Sequence, residues 1–536
     1  MKSINTYFAG ALLLAGMVLS ACSDDFLDKE TLSELTTENF WETEDDASMG
    51  LTACYSGLQS KYLYDGGPWH CGFFNMDCMT DNGGHFNWSG WMCGYDIANG
   101  IHTPSSWLIS SFWAESYEVV KRCNLLLDNI ENIEMDSVTK ETYKAEATVI
   151  RALMYLNLTM TYQDVPYITK PQYSISDADV EKSNRADIIE AEMVNLIAAS
   201  AVLTQDVSLG RISKGAAWSL IARMALYNED WSTAITYYRE VMTLGYSLEP
   251  SYATLFTEDG ESSSEIILSV RFEGPGLDEG SHYSNHWNAP LESMNGSLDL
   301  AKAYYATDGN LFDQSSVCHP GIDSLGDGIP DSSRYLNRDP RLKVTLFVPG
   351  MKWGSNPTAF YGGSSPSLST VYIYKYFNPL RTADPEYGES GQDFIVIRYA
   401  EVLLSLAEAL IMEGNYDYTE VVGLVDLVRD RVSMPLVGAV EGKNKTLSSE
   451  ELLAVVKHER RVETAFEGLR LFDLYRWREL EDAVNTINTE GTPADETGTY
   501  FNYEHRNYRG EKEYVWPIPQ GEIDTNSKLV QSTLWE

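Results

Sequence analysis

The residues of this chain that could do chemistry fall into a few short stretches, and most fail on spacing. His458-Glu459 opens a zinc-peptidase pattern, but the second histidine would have to stand at 462, which is Val462. Gly442-Lys443 is not a phosphate loop: the four-residue spacer is missing and Asn444 stands where Ser or Thr is required. No G-x-S-x-G elbow occurs. A glycosidase carboxylate pair is a spatial pair, and nothing in the order of the 79 Asp and Glu residues nominates one. Asp323, Asp327 and Asp331, spaced around Gly326 and Gly328, resemble one calcium-loop repeat, because Ca²⁺ takes several hard oxygens. There is a single copy and Leu325 replaces a ligand, so a plain acidic turn stands against a structural calcium. No other cofactor is expected.

What remains points to binding rather than reaction. The chain holds 33 Tyr, 17 Phe and 13 Trp, most of them expected in the core, and the question is whether some cluster where a core does not need them. Asn87-Trp88-Ser89-Gly90-Trp91 sets two indoles among small neighbours, with Asn82, His85, Tyr95 and Asp96 nearby in sequence. Sugar rings present apolar C–H faces that stack on aromatic faces, while a few polar groups fix the hydroxyls. The formal net charge of -40 and the lack of any Lys/Arg-rich run exclude a nucleic-acid footprint. The acidity reads as a solvated surface.

The elements that must position such a loop are mostly helical. A short apolar run from about Tyr7 to Leu19 is too brief to span a bilayer, which takes about 20 residues. It ends in Leu19-Ser20-Ala21-Cys22, which resembles the lipobox of bacterial lipoproteins. Residues 1–21 are therefore expected to be a signal peptide and Cys22 to carry the lipid, the only membrane attachment. Residues 23–36 read as a polar tether. A helix is expected from residues 37–39 through Leu58. Residues 64–106, rich in Gly and aromatics with no persistent period, read as a long functional loop. Helical periodicity then predicts helices over Trp107–Ile130, Thr139–Tyr162, Arg185–Leu203, Lys214–Asn228 and Trp231–Leu244. The last two, with small residues where they meet, form a pair of tetratricopeptide type. Residues 250–392 are mixed, with strands expected at Glu265–Phe272 and Tyr372–Phe377.

Asp393–Gly414 reads as one buried helix carrying a narrow polar stripe of Arg398, Glu401, Ser405 and Glu408. Thr419–Val432 follows as its partner, and residues 448–478 predict two more helices behind a capping box at Ser448-Ser449-Glu450-Glu451. Six cysteines besides Cys22 allow disulfides or free buried thiols, both favoured over zinc because no C-x-x-C pair exists.

Several motifs together resemble the SusD/RagB family, the surface glycan-binding lipoproteins of Bacteroidetes. Phe40-Trp41, Thr43 and Asp46-Ala47 match its first helix; Glu146-Ala147, Arg151-Ala152, Tyr155, Leu158 and Tyr162 to Pro166 match a later one. Arg398-Tyr399-Ala400-Glu401 with Ala407-Glu408-Ala409, the block from Glu459-Arg460-Arg461 to Arg476-Trp477, and the ending Trp516-Pro517-Ile518-Pro519, Glu522-Ile523 and Asn526 match the rest. The resemblance implies a mainly α fold: a scaffold of tetratricopeptide-like helix pairs with long irregular ligand-binding loops and a few short strands. The organisation expected is a helical part over 22–260 that carries the loop 64–106, then a second part over 261–536 with an irregular insert at 261–392 and helices at 393–480.

The resemblance also implies a non-catalytic glycan-binding lipoprotein at the cell outer membrane, facing the exterior, which delivers its ligand to a SusC-like TonB-dependent transporter. A peptide-delivery subunit is the alternative, and a glycan-active enzyme the third reading. Family members place ligand-binding aromatics in the loop before the helix at Trp107 and in the middle insert. By region, that nominates Asn87, Trp88, Trp91, Tyr95 and Asp96, then Tyr283 and Trp287, then Trp353 and Tyr361. The matched motifs themselves are scaffold.

Overall fold

The computed structural model describes residues 40–66, 72–85, 94–274, 276–277, 279–282, 294–318, 332–348, 351, 371–377, 389–439, 446–489 and 506–536. Helix α1 (Glu44–Leu58) starts later than the sequence suggests. The Thr43 hydroxyl accepts from Asp46 N at 3.3 Å, and the Asp46 carboxylate accepts from Thr43 N at 2.7 Å. This reciprocal box satisfies two donors that the first turn would otherwise leave open, so the start is set there.

Five helices follow close to their expected bounds: α2 (Trp107–Asn129), α3 (Ser137–Tyr162), α4 (Arg185–Val202), α5 (Lys214–Tyr227) and α6 (Trp231–Met242). Their starts are capped by side chains: Asp136 accepts from Thr139 N at 2.8 Å, Asn184 from Ala186 N at 2.9 Å, and Asp230 from Thr233 N at 3.1 Å. Ala217, Ala222 and Ala225 on α5 and Ala234 on α6 are buried, so the two backbones approach closely as an antiparallel pair. This stack of helix pairs is the predicted scaffold.

The first correction falls at residues 393–398. Phe394–Arg398 is not helix but a strand, paired antiparallel with the strand Ile266–Val270; the helix begins only at Tyr399 and runs to Glu413. The run Phe-Ile-Val-Ile carries three β-branched residues, which favour a ladder once a partner strand exists. The polar stripe is also differently employed. Arg398 belongs to the strand end, and Glu401, Ser405 and Glu408 are fully inside. Glu401 accepts from Arg223 Nη2 at 2.6 Å, Ser405 from Arg460 at 2.7 Å, and Glu408 holds the Arg476 fork and the Trp477 indole N–H at 2.7 Å.

Two further differences are smaller. The strand expected at Tyr372–Phe377 is confined to Tyr372–Ile373, because Tyr374 N bends back to Thr345 O and Tyr376 takes φ +66°. Within residues 64–106 the chain forms the helices Phe73–Met76 and Tyr95–Ala98 and a short strand. Phe73, Phe74, Met76 and Cys78 there are core residues rather than loop surface.

The C-terminal helices run Tyr418–Arg431, Ser449–Thr464 and Arg470–Trp477, and a further one, Leu480–Thr489, lies beyond the two expected. They join the rest through buried ion pairs rather than apolar packing alone. Arg398 meets Glu265 at 2.8 Å, Glu463 at 2.6 Å and Glu467 at 2.7 Å; Arg341 meets Asp339, Glu459 and Glu463; Arg429 meets Glu459 at 2.7 Å. Burial disfavours the charge on Glu459, yet Arg341 and Arg429 hold its carboxyl down at about 2. Burial pushes the Lys375 ammonium down to about 8 despite Glu467 at 2.7 Å. The family-matching Arg and Glu residues thus do structural work. Cys54, Cys123 and Cys318 are free buried thiols and Cys78 is buried, while Cys71 and Cys93 lie outside the described residues.

Candidate functional site

Asn87, Trp88, Trp91, Tyr283, Trp287, Trp353 and Tyr361 lie outside the described residues, as do Cys22 and the trio Asp323, Asp327 and Asp331. The described residues that flank those segments are ordered into small antiparallel ribbons. Strand β1 (Gly83–His85) pairs with β3 (Met294–Gly296), where β2 is Ile266–Val270; His85 stands opposite Met294. The segment 86–93 leaves the ribbon at His85 and the segment 283–293 rejoins it at Met294. Two aromatic-bearing stretches far apart in sequence therefore share one ribbon end.

A second ribbon, β4 (Leu346–Phe347) with β5 (Tyr372–Ile373), bounds the stretch that carries Trp353 and Tyr361. The two ribbons touch: a Cβ on Gly296 would collide with Leu346 Cδ2 and lie 3.7 Å from Val371 Cγ2. The absence of a side chain at Gly296 is what permits that approach.

Carboxylates fix the remaining stems. Asp65 Oδ1 accepts from Gly66 N at 2.7 Å and from His282 N at 2.8 Å, and its other oxygen meets His282 Nδ1 at 2.7 Å. One side chain thus sets the departure of both 67–71 and 283–293. Ser281 and Ser390 form an antiparallel bridge, and Glu389 accepts from Glu279 N at 3.1 Å and Gly280 N at 3.0 Å. Asp393, at the foot of the insert, accepts from Phe272 N at 3.0 Å and Arg271 Nη1 at 2.6 Å, while Glu261 accepts from Asp393 N at 3.1 Å. Burial raises the Glu261 carboxyl to about 7 and that of Asp393 to about 6, with Arg271 opposing both shifts.

Beneath β1 lies a polar anchor. Arg506 donates to the carbonyls of Thr80 at 2.6 Å, Cys78 at 3.0 Å and Gly83 at 2.8 Å. Arg470 grips Asp81 bidentately at 2.9 and 2.8 Å, and Arg461 reaches Asn82 and Asp299. Burial disfavours the Asp81 charge, but Arg461 and Arg470 overcome it and hold the carboxyl below its ordinary range. Asp77 accepts from Asn82 Nδ2 at 2.9 Å and Phe466 N at 2.6 Å, and burial still raises it to about 6. Charge-assisted bonds of this kind preset a loop frame that has little apolar core of its own.

Tyr95 and Asp96 are both half-buried on the short helix that follows segment 86–93. The backbone carbonyl of Asp96 accepts from Ile101 N and His102 N, so this corner also turns the chain into α2. Among the polar residues near Trp88 and Trp91 in sequence, Asn82 is spent as a structural acceptor for Arg461 and donor to Asp77.

Sequence reasoning missed a cavity of about 530 Å³ lined by Phe256, Glu258, Asp259, Lys343, Tyr374 and Gln392, among others. Its walls come from four separate stretches that only folding assembles, so no local signal announces it. It offers ring faces, two carboxylates, an ammonium and an amide, which suits hydrogen bonding and stacking of a polar ligand. Among the described residues no group of three or more His, Cys, Asp or Glu could hold a metal ion. No described helix is long and apolar enough to cross a membrane.

A family model described as "SusD family" matches residues 264–535, and one described as "Starch-binding associating with outer membrane" matches residues 25–226. SusD-like protein P38 of Formosa agariphila is 25% identical over 510 residues, covering 91% of this chain and 94% of that one. A solved SusD-like carbohydrate binding protein from Bacteroides fragilis is 26% identical, with a TM-score of 0.77 over 92% of this chain and 100% of that one. A laminarin binding SusD-like protein shares the fold with a TM-score of 0.66 and 22% identity, over 92% and 100% of the two chains. Matched through both halves and sharing the fold along nearly its whole length, the chain belongs to the SusD family.

Proposed function

We propose that this chain is a non-catalytic glycan receptor, tethered through a lipid on Cys22 to the outer face of the outer membrane, that passes glycan to a SusC-like TonB-dependent transporter. The observation that carries the reading is the convergence of the stretches bearing Trp88 and Trp91, Tyr283 and Trp287, and Trp353 and Tyr361 on two touching ribbons. Aromatic faces suit the apolar faces of sugar rings, and the carboxylate-clamped stems fix where the described chain meets these three stretches. The carbohydrate binding relative from Bacteroides fragilis supports the ligand class.

The test is retention of the mature protein in affinity gels loaded with candidate polysaccharides. Trp88→Ala with Trp91→Ala abolishes retention on the cognate glycan while the melting curve stays near wild type. Unaltered retention would move the site off this loop. Retention by peptide columns alone would favour the peptide-delivery reading.

A further inference from the structure

A second cleft, built wholly from described chain, has no part in the glycan platform. It measures about 310 Å³ and lies between α2, the stretch 166–172 and the C-terminal segment 522–529. Trp113 and Tyr117 on α2, Ile168, Pro171 and Leu529 give it apolar walls. Its polar groups are nearly all engaged. Tyr117 donates to Pro166 O at 2.7 Å, Asn124 donates to Ile168 O at 2.8 Å, and Asn526 donates to Val180 O at 2.7 Å. Both lysines on the rim already face carboxylates: Lys121 meets Glu118 at 3.3 Å and Lys170 meets Asp128 at 3.0 Å.

Glu522 is the exception. It lines the cleft half-buried, and its carboxylate has neither an ion pair nor a hydrogen-bond donor among the described residues. Burial alone raises its pKa, with no cation close enough to oppose the shift. The other residues of the ending motif have evident structural uses. Trp516 donates to Tyr475 at 3.2 Å, Ile518 is core, and Asn526 pins Val180. A half-buried carboxylate without a protein partner has given up part of its hydration, and a cation that enters the cleft offsets that loss.

We infer that this cleft binds an organic cation, an alkylammonium or alkylguanidinium group whose apolar stem lies against Trp113 and Ile168 while its charge meets Glu522. An anion is excluded from the role because the rim lysines are already neutralised and the free group is itself negative. The sources sharing this chemistry are a small soluble amine and the Lys or Arg side chain of a partner protein.

The experiment is calorimetric titration of the full chain with n-butylguanidinium. Saturable binding at one site is expected, weakened about tenfold or more by Glu522→Gln, as expected for loss of a charge-assisted bond, and weakened by added NaCl. Ala178→Trp, at an exposed rim position, blocks entry by bulk and gives the same loss without touching the carboxylate. Glu134→Gln, an exposed carboxylate outside the cleft, leaves binding unchanged. Neutral 1-pentanol of similar length does not compete. No saturable binding, or equal binding by Glu522→Gln, overturns the inference. Two arms assign the source. A blocked pentapeptide with one central Arg that binds at least as tightly, and loses binding in Glu522→Gln, identifies a partner's side chain. Binding of the free guanidinium alone identifies a small soluble cation. Affinity for glycan is unaffected by Glu522→Gln, so the cleft and the platform stand or fall separately.

Discussion

His85 lies directly opposite Met294 in an antiparallel ribbon, so the chain enters segment 86–93 and returns from segment 283–293 at the same ribbon end. Three residue pairs make the ribbon, so its geometry is sensitive to any intrusion. A Cβ at Gly83 would sit 2.7 Å from the carbonyl oxygen of Asn295, closer than real side chains come to backbone. Gly83→Val is therefore expected to spread the ribbon and weaken glycan retention about tenfold or more while helical circular dichroism is kept, since the scaffold does not depend on this strand. Full retention by Gly83→Val would mean the ribbon does not position the platform.

Arg398 ties two strands and the C-terminal helices together through Glu265, Glu463 and Glu467, with its guanidinium fully buried. Arg398→Ala removes one counter-charge from each of those buried carboxylates, leaving Arg431 beside Glu265 and Glu463 and Lys375 beside Glu467. Loss of one partner of a buried pair costs about 3–5 kcal/mol. Denaturant unfolding followed by tryptophan fluorescence should show that loss, and an unchanged midpoint would show that water or neighbouring arginines compensate.

The insert stem predicts an unusual pH response. Glu261, Asp393 and Asp77 have carboxyls raised to about 7, 6 and 6 by burial. Between their unfolded values near 4 and these folded values, the native chain holds more protons than the unfolded one. Their contribution to stability is thus fully present below pH 4 and is lost as pH rises through 6 to 7. Carboxyls held low by arginines, such as Glu459 at about 2, act in the opposite sense and only at more acid pH. The wild-type thermal midpoint should gain on that of Glu261→Gln as pH falls from 7.5 to 5.5; the buried imidazoles of His102 and His458, whose pKa values burial lowers, act in the opposite sense over this window in both proteins. A wild-type advantage that shrinks on mild acidification counts against the raised Glu261 carboxyl.

Cys54, Cys123 and Cys318 are unpaired and buried, and burial raises the Cys123 thiol. A thiol reagent should leave these three untouched in the native protein and label all of them after unfolding without reductant. Mass spectrometry of the labelled peptides checks each site; a disulfide between any two of them would leave that pair unlabelled.

Much of this protein was legible in the order of its residues. Helical periodicity and side-chain caps located α2 to α6 to within a few residues, because both are local properties of a few consecutive turns. The motif set pointed to the family. The local signals failed where a distant partner decides. Phe394–Arg398 carries an apolar run that suits helix or strand, and only the presence of Ile266–Val270 beside it makes it a strand. Glu401 and Glu408 read as a polar stripe until Arg223 and Arg476, from other helices, show them to be buried ion pairs. The same holds for the site. The sequence could nominate aromatic stretches by region, whereas the pairing of His85 with Met294, the cavity beside Phe256 and the unpartnered Glu522 are matters of tertiary structure. Sequence by itself determined the helical scaffold and the kind of surface the chain presents. Tertiary structure decided which charges are neutralised and which loops meet, because both depend on distances between residues that the chain brings together only when it folds.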